Sequence, residues 1–294
     1  MLWRKTTLLG VGLLGGSLGL AMKRARLSEQ ICGFVRRPES IDECLQLGVV
    51  DQCGCDLHTA VENADLLILC TPIGKMRDLL LAAIPSIKPG ALITDVGSVK
   101  ASVARELEPL AVQAGATFIG SHPMAGSERM GVNASKIDLF SKAISVVTPT
   151  VSSPKSKVQA LVELWEGVGA RPLVMSPEQH DELVSRSSHL PHVVAAELAN
   201  YVLSPAHPKE QAMLCATGFR DTTRVASGSP EMWRDIALAN SKNLARVLRA
   251  FIEHLEEFKA ALEDQDDKKI TEFFETAKQR RDKWCAPKAS PSPE

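Results

Sequence analysis

Lys5-Thr6-Thr7-Leu8-Leu9-Gly10-Val11-Gly12-Leu13-Leu14-Gly15 decides how the rest of the chain is read. An apolar run of strand length meets glycines spaced Gly-x-Gly-x-x-Gly, and residues 17–25 behind them have helical character. Strand, glycine turn and helix in that order are the context a dinucleotide fingerprint requires. Gly10 permits the tight turn, Gly12 leaves room for a pyrophosphate, and Gly15 lets helix and strand pack closely. Leu13 and Leu14 open the helix, whose free N–H groups and dipole favour phosphate. The apolar run from Leu8 to Met22 follows Arg4 and Lys5 and so mimics a secretory leader. Its glycines, the lack of a small-residue cleavage site and its shortness favour a buried strand, turn and helix over a leader or membrane span.

Working outward, short apolar runs alternate with amphipathic stretches. Strands are expected at 5–9, 30–35, 66–70, 92–95, 117–120 and 144–149, with helices at 17–25, 40–47, 75–83 and 99–114. A helix at 155–168 and a strand at 171–174 follow. Continuous apolar strands alternating with helices predict an α/β fold, a Rossmann-like doubly wound parallel sheet, over residues 1–176. After Ser176-Pro177 no further strand is expected. Helices at 182–203, 208–216, 230–262 and 267–280 make 177–284 an all-helical domain, with Leu244, Val247, Leu248, Phe251 and Leu255 along one face of the longest. The Pro/Ser-rich tail, 285–294, reads as disordered.

The 294 residues suit about two domains. A hydrophobic share of 45% supplies a core, which excludes a disordered or fibrous chain. Lys and Arg total 34 against 35 Asp and Glu, so nucleic acid is not the expected partner, nor is a membrane. Seven cysteines, an odd number partly inside apolar runs, read as reduced thiols of a cytoplasmic protein. Cys53-Gly54-Cys55 lacks the second ligand pair a metal site needs, and no metal is expected.

The second strand ends Phe34-Val35-Arg36-Arg37. A site for NAD usually places Asp or Glu where Val35 stands, to bond the ribose 2′-hydroxyl. Without that carboxylate, Arg36 or Arg37 can pair with a 2′-phosphate, which favours NADP over NAD; the other reading is solvated loop charge. Thr71 and Pro72, directly after strand 66–70, complete the expected cofactor set.

Three further clusters carry chemistry. Ser121-His122-Pro123-Met124-Ala125-Gly126-Ser127-Glu128 follows strand 117–120, which puts His122 just past a strand's carboxyl end, at the edge facing the ligand crevice. His122 is a candidate proton acceptor beside a nicotinamide, against the alternative of a structural loop cap. Ser98, in Asp95-Val96-Gly97-Ser98-Val99-Lys100, ends a strand at the same edge and is expected to bond His122 or the substrate. In Ser187-Ser188-His189-Leu190-Pro191-His192 the histidines share one helix side, but no partner ligand is suitably spaced, so substrate contacts or structural hydrogen bonds are expected. Arg220 and Arg224, in Gly218-Phe219-Arg220-Asp221-Thr222-Thr223-Arg224, stand i,i+4 and can clamp carboxylates; alternatively Asp221 neutralises one of them.

Together with Met232-Trp233, these motifs in this order resemble the prephenate/arogenate dehydrogenase family (TyrA) of tyrosine biosynthesis, over about residues 5–262. The resemblance implies oxidative decarboxylation: hydride leaves the substrate C4 for a nicotinamide, the C4 hydroxyl loses its proton, and carbon dioxide departs as the ring becomes aromatic. It implies His122 as proton acceptor, Ser98 as its orienter and Arg224 as the carboxylate clamp supported by Arg220 and Asp221. Ser188, His189, His192 and Trp233 would shape the substrate pocket. It also implies a homodimer through the helical half, which thereby becomes a substrate and dimerisation domain. An arogenate enzyme would offer a carboxylate to the substrate's amino group; Glu128 is acidic but Met130 is not, which leans toward prephenate. The alternatives are an arogenate dehydrogenase, a β-hydroxy-acid dehydrogenase, and a non-catalytic NADP-sensing dimer. The second would want a lysine that 182–203 lacks.

Overall fold

The computed structural model describes residues 2–286 apart from 128. Glu128 and the end of the Pro/Ser-rich tail, 287–294, lie outside the described residues. Six strands form a parallel sheet: β1 (Trp3–Leu9), β2 (Ser28–Phe34), β3 (Gln52–Gly54), β4 (Leu66–Leu69), β5 (Leu92–Asp95) and β6 (Thr117–Phe118). Their order is β3-β2-β1-β4-β5-β6. This is the doubly wound dinucleotide arrangement, in which the order of strand addition reverses between β1 and β4 and opens a crevice at their carboxyl ends. Leu66, Leu67, Ile68 and Leu69 are all fully buried, as a central strand covered on both faces requires.

Helices cover both faces. They are α1 (Leu13–Arg24), α2 (Glu39–Gln46), α3 (Leu57–Val61), α4 (Ile73–Ala83), α5 (Ala101–Gln113) and α6 (Lys155–Gly167). One core cluster joins Leu18, Met22, Leu8 and Ile31 to Leu161, Leu164 and Trp165. The other joins Leu67, Leu69 and Ile93 to Met76, Leu80, Val103 and Leu107. The short β3 and α3 were not expected. β3 pairs Cys32, Gly33 and Phe34 with Gln52, Cys53 and Gly54 in register. The Asp56 side chain caps α3 by accepting from the His58 amide at 3.0 Å.

The expected strand 117–120 is a correction. β6 stops at Phe118, and a separate strand β7 (Gly120–Pro123) enters a second sheet with β8 (Ile144–Thr148) and β9 (Arg171–Val174). β7 runs antiparallel to β8, with His122 opposite Val146. His122 therefore sits within a strand and not in a loop past one. Gly120 makes this close approach feasible: a Cβ there would stand 2.7 Å from Thr148 Oγ1 and 3.2 Å from Lys100 Cδ.

From Pro177 the chain is helical: α7 (Pro177–Val184), α8 (Leu190–Val202), α9 (Glu210–Met213), α10 (Thr217–Thr223), α11 (Pro230–Ala239), α12 (Ser241–Glu263) and α13 (Asp267–Cys285). Two expected helices are broken. A π-helical turn, Ser185–His189, interrupts 182–203, and Asn240 leaves helical geometry (φ −114°, ψ 27°) inside 230–262. The stretch 208–216 is helical only over Glu210–Met213. Secondary structure changes character near Ser176, yet compaction divides the chain into one unit up to Asn243 and another from Leu244 on. The reason lies in the first unit: the Asp181 carboxylate of α7 accepts from the Lys100 and Ala101 amides at the start of α5. Among the described residues no helix is long and apolar enough to cross a membrane. All seven cysteines are free.

Candidate active site

The cofactor crevice is built first. β1 ends at Leu9, and Gly10 turns with φ +102°, a conformation side chains rarely adopt. A Cβ on Gly15 would meet the Gly10 carbonyl at 2.2 Å, so α1 can cross this close only with glycine there. A Cβ on Gly12 would meet nothing within 4 Å, which leaves open space before the helix. α1 has no side-chain N-cap and no acidic residue in its first turn, so Leu13 and Leu14 begin a helix end ready for an anion. Across the crevice, Thr71 and Pro72 lead from β4 into α4, and Thr71 Oγ1 is buried without a hydrogen-bond partner. An orphaned hydroxyl beside an uncapped helix N-terminus fits a dinucleotide. Val35 is buried at the end of β2, and Arg36 and Arg37 after it are exposed. The segment leaving β7 returns to the first turns of α1: the Lys136 amide donates to Ser17 Oγ at 2.9 Å.

A buried polar network lies beneath His122. Asp95, at the end of β5, accepts from the Gly97 amide at 2.8 Å and the Ser121 amide at 3.2 Å. Its carboxylate also pairs with the fully buried Lys100 ammonium. Lys100 Nζ donates to the Ser121 carbonyl at 2.9 Å, which fastens the strand that carries His122. Burial pulls Lys100 below the ordinary lysine value, and the Asp95 carboxylate opposes this.

His122 Nδ1 lies 2.9 Å from His180 Nε2, and His180 Nδ1 lies 2.8 Å from Asp181 Oδ1. Asp181 already accepts from two backbone amides, so its oxygens act as acceptors and His180 Nδ1 carries a proton toward it. In the neutral ring His180 Nε2 is then the acceptor, His122 Nδ1–H donates to it, and His122 Nε2 keeps a lone pair. Burial, then the charges of His180 and Lys100, hold His122 well below the ordinary histidine value. Burial also lowers His180, with Asp181 opposing. The resting relay is thus neutral, and His122 is set up as a proton acceptor.

Ser98 was expected to bond His122 or the substrate; among the described residues it is His180 that bonds His122 Nδ1. His180, Asp181, Lys100, Asp95 and Asn240 were all missed as site residues. The usable signal was Ser176-Pro177, which starts α7 by accepting from the Gln179 amide through Ser176 Oγ and puts His180 and Asp181 one turn inside, both buried.

The substrate side is assembled from the later helices. His189 is fully buried; its Nδ1 faces Asn240 Nδ2 at 3.2 Å, and its Nε2 has no hydrogen-bond partner. The Ser98 carbonyl bears on the ring, but burial dominates and pulls His189 down to about 4. His192 stacks on Trp233 at 3.8 Å between ring centroids, and its Nδ1 lies 2.9 Å from the Ser188 carbonyl. His189 meets Trp233 edge-on at 6.2 Å. Arg224 lowers His192 electrostatically, after burial. Arg220 and Arg224 line one groove of about 440 Å³ with Phe219 and Thr223. Asp221 is exposed. Met130 is 77% exposed.

A doubly wound nucleotide-binding sheet beside a buried, carboxylate-oriented histidine base defines a dehydrogenase of the dinucleotide-fold class. The family model described as the prephenate dehydrogenase nucleotide-binding domain matches residues 18–174. The one described as the prephenate dehydrogenase dimerization domain matches 176–276. The chain belongs to the prephenate dehydrogenase family. It is 37% identical to the prephenate dehydrogenase of Bacillus subtilis over 94% of this chain and 74% of that protein. It is 32% identical to the cyclohexadienyl dehydrogenase of Zymomonas mobilis, over 95% of each. The crystal structure of the Aquifex aeolicus prephenate dehydrogenase, in complex with hydroxyphenyl propionate and NAD+, superposes with a TM-score of 0.88 at 30% identity. That match covers 95% of this chain and 97% of that one.

Proposed function

We propose that this chain catalyses the nicotinamide-dependent oxidative decarboxylation of prephenate to 4-hydroxyphenylpyruvate. The observation that carries the reading is the His122–His180–Asp181 relay, which leaves His122 Nε2 as a base in a buried site. Gly10, Gly12, the amides opening α1 and Thr71 would hold the cofactor, which supplies a hydride acceptor when bound. His122 takes the C4 hydroxyl proton at Nε2, and the positive charge that appears is stabilised through His180 by Asp181. Arg224 holds a substrate carboxylate, and His192 stacked on Trp233 walls the pocket. The C1 carboxylate leaves as carbon dioxide, its electron pair aromatises the ring, and the C4 oxygen takes back the proton held on His122 to become the phenol hydroxyl; aromatisation drives that step, and the protein contributes orientation.

NADP is the proposed cofactor. Support comes from Val35 where an NAD site carries a carboxylate, and from two exposed arginines after it. A homodimer is proposed through the helical segment. The dimerization-domain match supports it, as do exposed Ile252, Leu255 and Leu262 on α12 and Phe273 and Phe274 on α13. Free thiols suit a cytoplasmic protein.

The test is a four-way assay of prephenate or arogenate with NAD or NADP, following reduced nicotinamide. Turnover best with prephenate and NADP is expected. Preference for NAD would reduce Arg36 and Arg37 to surface charge, and preference for arogenate would overturn the substrate assignment.

A further inference from the structure

Asn240 interrupts a helical pattern that would otherwise run from α11 into α12, and its side chain is buried, with 4% of its surface exposed. Its amide orientation is fixed by its neighbours. Nδ2 lies 2.8 Å from the Asp181 backbone carbonyl, which can only accept, so the NH₂ group must face it. Asn243 Nδ2 donates to Asn240 Oδ1 at 2.9 Å, consistent with the same orientation. The second hydrogen of Nδ2 therefore points at His189 Nδ1, 3.2 Å away.

A ring nitrogen that accepts carries no proton, and a neutral imidazole then carries its proton on the other nitrogen. His189 Nε2–H is thus a fully buried donor, and it is the atom that lacks a partner. Leaving such a donor unpaired is costly, so a buried orphan of this kind is a place for a ligand acceptor. The ring also feels the Ser98 backbone, in the loop after β5, and meets Trp233 edge-on at 6.2 Å between ring centroids.

We propose that Asn240 is a positioning residue that locks His189 in the Nε2–H tautomer, so that the site offers the substrate a fixed hydrogen-bond donor there. The lock selects a carbonyl or carboxylate oxygen at that point and disfavours a protonated amine, which would bring a second donor. The proposal rests on the dehydrogenase reading above for the identity of the ligand, but the lock itself does not.

The test uses the full chain labelled with [15N]histidine, with the His189 signals assigned through His189→Gln. In the free protein His189 is expected to show an unprotonated Nδ1 and a protonated Nε2. Adding 3-(4-hydroxyphenyl)propionate with NADP should shift the Nε2–H resonance. In Asn240→Leu both tautomers should appear, with KM for prephenate raised about three- to tenfold, the range of one lost hydrogen bond, and kcat changed less. In a His189→Gln background, which keeps an N–H at the Nε2 reach, Asn240→Leu should add no further KM effect. A protonated Nδ1 in the unsubstituted protein overturns the lock, even where Asn240→Leu fails to fold. An unshifted Nε2–H while other histidines respond overturns the ligand contact alone. If no histidine responds and no cofactor turns over, the dehydrogenase reading falls, and the tautomer result still stands or fails by itself.

Discussion

His122 Nδ1 and His180 Nε2 stand 2.9 Å apart, and this contact determines which nitrogen of His122 is left to take a proton. Because His180 is in turn held by Asp181 at 2.8 Å, its acceptor nitrogen faces His122. The reactive lone pair of His122 therefore lies on Nε2, away from the relay.

Removing the base should cost turnover and spare binding. In His122→Asn, kcat should fall by about 10²–10⁴, the range for loss of a general base, with cofactor affinity unchanged. Steady-state kinetics and cofactor titration read both; near-normal turnover would remove His122 from the chemistry.

Asp181→Asn should leave the shape of the relay but take away its charge. An amide can present a donor to His180 Nδ1 and reverse the tautomer. A kcat drop of about ten- to a hundredfold is expected, in line with other groups that orient a catalytic ligand. Thermal melting must accompany the assay, because Asp181 also accepts from the Lys100 and Ala101 amides. A kcat equal to the parent's in a folded variant would contradict the relay.

Acid should destabilise the fold through its buried histidines. His122, His180 and His189 are all held below the ordinary value of 6.5, His189 to about 4. With folded values below unfolded ones, the unfolded chain binds more protons between them, so stability rises with pH there. The contribution is complete above about 6.5, the unfolded value, and is lost as pH falls toward 4. Urea midpoints at pH 7.5 and pH 5 measure it, and equal midpoints would count against neutral burial of these rings.

Arg224→Ala should weaken substrate binding and little else. Loss of a charged hydrogen bond is worth about 1.5–3 kcal/mol, so KM for prephenate should rise about ten- to a hundredfold with cofactor KM unchanged. Arg220→Ala, in the same groove, should have a smaller effect. An unaltered KM in Arg224→Ala would move the carboxylate clamp elsewhere.

The legible part of the sequence was its local signals. The glycine spacing from Gly10 to Gly15, the apolar strands and the change of pattern at Ser176 all follow from short-range periodicity. β3 escaped because three residues, Gln52–Gly54, are too few for a period to show. β7 escaped because only Ile119 separates it from β6, with no turn residues to mark the change of sheet. His180 and Asp181 read as ordinary helix positions, since their meeting with His122 and Lys100 depends on packing between residues about 58 and 81 positions apart. Asn240 read as helix interior; its side-chain bonds to Asp181 and His189 account for the break, and only tertiary structure supplies them.

The most direct measurement is the stoichiometry of one reaction. Purified protein, prephenate and NADP should yield reduced nicotinamide and carbon dioxide in equal amounts, with 4-hydroxyphenylpyruvate as the organic product. Reduced nicotinamide without carbon dioxide, or neither with NAD or NADP, would contradict the assignment of His122 and its relay to oxidative decarboxylation.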